Sequence, residues 1–329
     1  MTLGSFFSSG YTRRPEGLVG HLLTAYGAMF ILWSTYAAVF SRLDALVLVT
    51  LFLSFMLVLV FSTIAATSER PFDDGAVIPF YDWCFVVASI ACGLYFAINS
   101  DSIATRITLL DPLATTDVLF ASLLIVLCLE VCRRTVGLLL TGIVICFMAY
   151  NLYGHVLPTP FGHGYISYEH FLDIMIFTTD GLFGTPLRVA ATYVLLFVLF
   201  GTFLANAGGG EFFNNLAASV AGARVGGPAK IAVVSSGLYG TISGSPTSDV
   251  VTTGSITIPM MKKIGYPSTV AGAVEVAAST GGSILPPVMG SAAFIMAEYT
   301  GIPYLDIVVA STIPALLYYF SVYSQVHYT

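Results

Sequence analysis

Gly240-Thr241-Ile242-Ser243-Gly244-Ser245-Pro246-Thr247-Ser248-Asp249 interrupts an otherwise apolar run from Ala229 to Met261. Ser279-Thr280-Gly281-Gly282-Ser283, followed by Pro286 and Pro287, interrupts a second run from Val270 to Ala297. Both interruptions are small and polar, and both fall where a membrane helix would be halfway across. In lipid every peptide group needs an internal partner, so unwound backbone at that depth is tolerated only where it is buried in protein or lines a wet cavity, as at transporter ion and substrate sites. The pattern reads as part of a secondary transporter.

Composition agrees. Of 329 residues, 57% are apolar and 9% charged, and mean hydropathy is +0.88; a soluble domain carries about 25% charged residues. The twelve Lys and Arg residues are scattered rather than gathered into a patch, which argues against nucleic-acid binding. Cys84, Cys92, Cys128, Cys132 and Cys146 sit in apolar runs without ligand spacing and read as packing residues. The histidines, His163 and His170 among them, read as solvated loop residues. No phosphate loop, nucleophile elbow or HExxH pair occurs, so the chain is not expected to be an enzyme and any pumping must draw on an ion gradient.

Seven further runs have spanning character: Leu18 to Phe40, Leu46 to Ala66, Trp83 to Ile98, Val118 to Val131, Val136 to Tyr153, Val189 to Ala205 and Ile302 to Tyr323. The first follows Arg13 and Arg14 and reads as an uncleaved anchor. Lys and Arg collect on the cytoplasmic side. A cytoplasmic N-terminus places Arg13, Arg14, Arg70, Arg133, Arg134, Arg224, Lys230, Lys262 and Lys263 inside, against Arg42, Arg106 and Arg188 outside. Keeping Lys230 and Lys262 on one side makes residues 228–262 a re-entrant hairpin, and residues 267–299 a discontinuous span whose kink can face its tip. The loop after Gly154 is amphipathic near Phe171 to Phe183, and Glu211 to Ala221 reads as an interfacial helix. The expected fold is an all-α polytopic membrane protein with a re-entrant helical hairpin and a discontinuous helix.

At a helix break, one arm presents free carbonyls and the other free amides. Ser243, Ser245 and Thr247 add hydroxyl oxygens that suit a hard cation such as sodium, and Gly244 lets the backbone turn. Thr280, Gly281, Gly282 and Ser283 supply the same elements from the second break, and Pro286 and Pro287, lacking N–H groups, leave upstream carbonyls for an ion. The competing reading is a packing seam of Gly237, Gly240 and Gly244 with capping serines. Asp249 reads first as a helix cap and second as an ion ligand. Glu275, inside the apolar run Ala271 to Ala278, marks function by its cost in lipid.

The run Gly240 to Lys263, with Ala271 to Glu275 and Ser279 to Glu298, resembles the large membrane subunit of tripartite ATP-independent periplasmic (TRAP) transporters, and most closely the fused permease of the TAXI branch. The resemblance covers about Thr178 to Tyr304. It implies residues 1–154 as a small-subunit-like region and 155–329 as the first half of the large-subunit transport domain. It further implies a sodium-driven elevator transporter of the bacterial inner membrane that takes an organic acid from a periplasmic substrate-binding protein. In that family the hairpin tip and the facing break form a sodium site, which maps to Ser243, Gly244, Ser245 and Thr247 with Thr280, Gly281, Gly282 and Ser283. The family's second, inverted hairpin is not found before Thr329, so a complete substrate site is not expected from this chain alone. The alternatives are a binding-protein-independent sodium symporter of related fold, and a non-transporting scaffold or truncated permease.

Overall fold

A computed structural model of the chain describes residues 10–13, 15–40, 44–67, 78–222 and 226–328. Arg14, Arg42, Arg70 and Arg224, used in the charge count, lie outside the described residues. The described residues form helices and no strand, apart from one isolated bridge between Thr12 and Ile64. Among the described residues seven helices are long and apolar enough to cross a membrane: Gly17–Phe40, Ala45–Thr63, Phe80–Ile98, Thr115–Thr135, Leu138–Val156, Thr185–Asn206 and Tyr304–Tyr328. Each lies over one of the seven expected runs, and the all-α polytopic reading holds.

The chain forms two compact units, Met1–Ala191 and Thr192–Thr329. In the first, α1 (Gly17–Phe40), α2 (Ala45–Thr63), α3 (Phe80–Ile98), α4 (Ser100–Thr105), α5 (Thr115–Thr135), α6 (Leu138–Tyr153), α7 (Tyr168–Ile176) and α8 (Thr185–Val189) follow in order. Helices α2 and α3 approach closely because small residues face each other. An added Cβ on Gly93 would meet the Ser54 side chain, and Ser54 Oγ donates to the Ser89 carbonyl at 2.8 Å. Small faces of this kind replace the hydrophobic drive that lipid removes.

One end of this unit holds charges that the sequence reading had simply counted on a cytoplasmic face. Asp82, fully buried, pairs with Arg13 at 2.6 Å and Arg134 at 2.8 Å. Arg134 Nε donates to Glu130 at 2.7 Å, and its guanidinium lies 5.0 Å from the Phe61 ring centre and 5.4 Å from that of Phe85. Asp82→Ala would leave two guanidiniums without their shared anion, and breaking a buried pair costs about 3–5 kcal/mol. We expect this variant to show a large fall in apparent melting temperature in detergent, whereas Asp101→Ala, at an exposed site, should leave it unchanged.

His163 lies in a loop, as expected, and is also held there by two carbonyls. Its ring nitrogens lie 2.7 Å from the Gly164 carbonyl and 2.9 Å from the Tyr150 carbonyl. Two facing acceptors favour the doubly protonated ring, and they raise its pKa above the ordinary histidine value.

The second unit contains α9 (Leu195–Asn206), α10 (Gly209–Ala221), α11 (Gly227–Ser243), α12 (Pro246–Thr252), α13 (Gly254–Lys263), α14 (Ser268–Gly281), α15 (Ser291–Thr300) and α16 (Tyr304–Tyr328). Helices α12 and α13 run back along α11. Gly240 meets Asp249, Ser236 bonds Thr253, and Ala229 shares a core with Met261; as one number falls the other rises, which defines an antiparallel hairpin. At 17 residues α11 is about 25 Å long, short of the roughly 30 Å hydrocarbon core. Helix α14 stops at Gly281 and helix resumes at Ser291, so the discontinuous helix is present. Helix α10 covers the expected interfacial segment: Phe213 turns toward Tyr239, while Phe212, Leu216 and Val220 are exposed. Helix α16 is tied to α14 by Tyr318 and Tyr319, whose hydroxyls donate to the Ala277 and Ala278 carbonyls at 2.8 Å.

Candidate functional site

The order Ser243-Gly244-Ser245-Pro246 dictates the first break. Gly244 takes φ +59°, a left-handed geometry that glycine adopts freely, and its N–H closes α11 on the Gly240 carbonyl at 3.1 Å. Ser245 is extended and caps α12, and Pro246 starts that helix where its missing N–H costs nothing. Pro246 also has no N–H to return to the Ile242 carbonyl.

The second break tightens before it opens. Gly282, Ser283 and Ile284 donate to the Ser279, Thr280 and Gly281 carbonyls in successive short turns. After Pro286 and Pro287 the chain returns, and the Gly290 N–H closes on the Ser283 carbonyl at 2.7 Å. That bond takes up one carbonyl that the prolines were expected to leave free for an ion. The Tyr304 hydroxyl lies 2.8 Å from the Pro287 carbonyl and 2.5 Å from that of Val288. Met289 has φ +60°, an uncommon conformation for a residue with a side chain.

The two breaks adjoin. The Val288 N–H donates to the Thr241 carbonyl at 3.0 Å. A Cβ added to Gly244 would collide with the Met289 carbonyl, and one added to Gly240 would stand 2.5 Å from the Gly282 Cα. Helices α11 and α14 therefore touch backbone to backbone, a contact that only glycine at both positions permits.

Asp249 lies in this crossing, with no exposed surface. It does not cap α12; Ser245 holds that position, and Asp249 turns inward. Its Oδ1 accepts from Ser243 Oγ. Its Oδ2 is buried without a hydrogen-bond partner, and Cβ atoms added to Gly240 and Gly282 would lie 3.0 and 2.8 Å from it. An unpaired buried carboxylate oxygen is costly, and either a proton or a cation would relieve it.

The structure gathers only some of the expected ligands. Ser243 and Gly282 meet the Asp249 carboxylate and the Asp249 N–H donates to the Ser245 carbonyl, while Gly244 lies against the Met289 carbonyl. Thr247 and Thr280 are exposed; Thr280 Oγ1 donates back to the Val276 carbonyl at 2.7 Å and Ser283 Oγ to the Thr280 carbonyl at 2.8 Å. Gly281 is buried under the Tyr318 and Tyr319 rings. Glu275 is fully buried nearby, bonded to Ser236, Thr253 and Thr257. The sequence reading missed Val288 and Met289, whose backbone joins the breaks, because nothing in an apolar pair signals a main-chain role. Among the described residues no group of three or more His, Cys, Asp or Glu could hold a metal ion, so a cation here would rest on hydroxyl, carbonyl and single-carboxylate oxygens.

Comparison with known proteins places this geometry. Residues 123–329, more than half of the chain, match the family described as tripartite ATP-independent periplasmic transporter, DctM component. A curated relative, the C4-dicarboxylate TRAP transporter large permease protein DctM of Pseudomonas aeruginosa, is 30% identical over 153 residues, or 44% of this chain and 35% of that protein. The match thus spans about a third of that relative's length. No solved structure matches the chain. With a paired helix break inside the matched region and seven helices fit to cross a membrane, the chain belongs to the DctM family of TRAP transporter membrane components, which are transporters and not enzymes.

Proposed function

We propose that this chain is part of a sodium-coupled permease of the bacterial inner membrane, dependent on a periplasmic binding protein and importing an organic acid. The unpaired Oδ2 of buried Asp249 between the two breaks carries the reading. Sodium would sit against it, with the Ser243 and Ser245 oxygens and backbone around Gly244 and Gly282 as further ligands; Thr247, Thr280, Gly281 and Ser283 complete the candidate set. The relative's name supports an organic acid, such as a dicarboxylate, as cargo. The family match leaves residues 1–122 outside it and takes in residues 123–154, so it supports a fused small-subunit-like region, as in the TAXI branch, over 1–122 and not over the whole of 1–154 ahead of the transport region (155–329). The charge bias supports a cytoplasmic N-terminus and a re-entrant hairpin, and the antiparallel arms suit an elevator-type transport domain.

The full-length permease should gain thermal stability from sodium and not from potassium. A ligand at about 100 times its Kd adds about 2.7 kcal/mol to the folded state. Asp249→Asn should fold and lose that response. A sodium response retained in Asp249→Asn, or none in the wild type, would sink the proposal.

A further inference from the structure

We propose that Glu275 is a proton-binding site, separate from the cation position at the breaks and shared by the hairpin and α14. The inference deepens the transport reading of these helices without needing sodium. Glu275 has no exposed surface. Its Oε1 accepts from Ser236 Oγ at 2.8 Å and Thr253 Oγ1 at 2.6 Å, and its Oε2 from Thr257 Oγ1 at 2.5 Å; Ser279 Oγ stands 3.5 Å from Oε1. The donors come from both hairpin arms and from α14 itself. Every hydrogen-bond partner of the carboxyl is a neutral hydroxyl. Among the described residues no cationic side chain pairs with it.

The titratable groups on the surrounding elements are otherwise engaged or distant in character. On α11, Lys230 Nζ lies 2.9 Å from His327 Nδ1 and over the Tyr323 ring, and Tyr239 faces Phe213. On α13, Lys262 and Lys263 are exposed at the far end. On α16, Tyr318 and Tyr319 donate to carbonyls of α14. Asp249 on α12 is a second buried acid and offers Glu275 no counter-charge of its own. A buried charge without a partner is relieved by neutralisation.

The hydrogens around Glu275 fit both of its protonation states. Each hydroxyl has one hydrogen to give. Thr253 Oγ1 also lies 2.7 Å from the Asp249 carbonyl, and Thr257 Oγ1 lies 3.0 Å from the Thr253 carbonyl. When the carboxyl is ionised, both threonines donate to it. When a proton from hydronium, which leaves as water, forms an O–H bond at Oε2, that O–H donates to Thr257 Oγ1, and Thr257 turns its hydrogen to the Thr253 carbonyl. One proton is gained, one negative charge is removed, and no polar group loses its partner. A metal ion fits worse, because three hydroxyl oxygens already lie 2.5–2.8 Å from the carboxyl oxygens. That leaves no gap for a cation needing its own contacts of about 2.3–2.6 Å.

Infrared difference spectra of the full-length permease between alkaline and acid pH provide the test. We expect acidification to produce, beside the bands of the other carboxyls, one carboxylic-acid carbonyl band that is present in the wild type and in Asp249→Asn and missing from Glu275→Gln. Thr257→Val should keep the band and move it to higher frequency, because the acid has lost its hydrogen-bond partner. A band unchanged in Glu275→Gln, or no acid-induced carboxyl band in the wild type, overturns the proposal. If Glu275→Gln fails to fold, a band that does not move in Thr257→Val overturns it. Failure of sodium binding would appear separately, as a missing sodium-dependent thermal shift with the infrared band intact.

Discussion

Gly244→Ala is expected to disrupt the paired breaks and abolish sodium-dependent stabilisation of the full-length permease. Two costs combine. The left-handed backbone at φ +59° costs an L-residue with a Cβ about 1–2 kcal/mol. The new methyl would also overlap the Met289 carbonyl, so the second break must retreat. Retreat stretches the Val288 to Thr241 hydrogen bond, now 3.0 Å, and a buried amide left unpaired costs about 1–3 kcal/mol. The expected loss is about 2–5 kcal/mol, read as a lower apparent melting temperature and an absent sodium shift. Gly272→Ala is the control: it is a helical glycine with nothing within 4 Å of an added Cβ, and exchange to alanine should be neutral or stabilise by up to about 1 kcal/mol. A Gly244→Ala protein with wild-type stability and sodium response would show that the left-handed turn and the Met289 contact are dispensable.

The helices were readable because lipid imposes one rule on every span. A run of about 20 apolar residues has few other uses, and all seven runs of that length or somewhat shorter became helices long enough to cross. The breaks were readable for a related reason: Ser243-Gly244-Ser245-Pro246 combines a left-handed stop, a cap and a proline start, each local in cause. What those local signals cannot give is which way a side chain turns. Asp249 has the position of a helix-start residue, and its inward turn follows from Ser245 taking the cap and from the space left by Gly240 and Gly282, one on another arm and one about 30 residues ahead. Thr247 and Thr280 also carry hydroxyl oxygens, and both are exposed while Asp249 is buried. The Asp82 cluster was invisible for the opposite reason, since its members, Arg13, Asp82, Glu130 and Arg134, come from three distant segments and only the fold unites them.

Gly282→Ala separates the two roles that this glycine could have, main-chain ligand or spacer. Backbone conformation does not oppose the change, because Gly282, just past the end of α14, has φ −59°, which alanine also adopts. Packing opposes it: the methyl would stand 2.7 Å from the Gly240 Cα and 2.8 Å from Asp249 Oδ2. Overfilled interiors typically lose about 1–3 kcal/mol, and here backbone lies on one side, which cannot rotate away as a side chain could. Packing should therefore win, and the permease should be modestly destabilised. The larger effect falls on the cation, because the methyl occupies the space into which the unpaired Oδ2 looks. Sodium-dependent stabilisation should be lost even at concentrations that saturate the wild type. If Gly282→Ala keeps the full sodium response, the cation does not sit between Asp249 and the second break, and the carbonyls of the first break must hold it without that carboxylate.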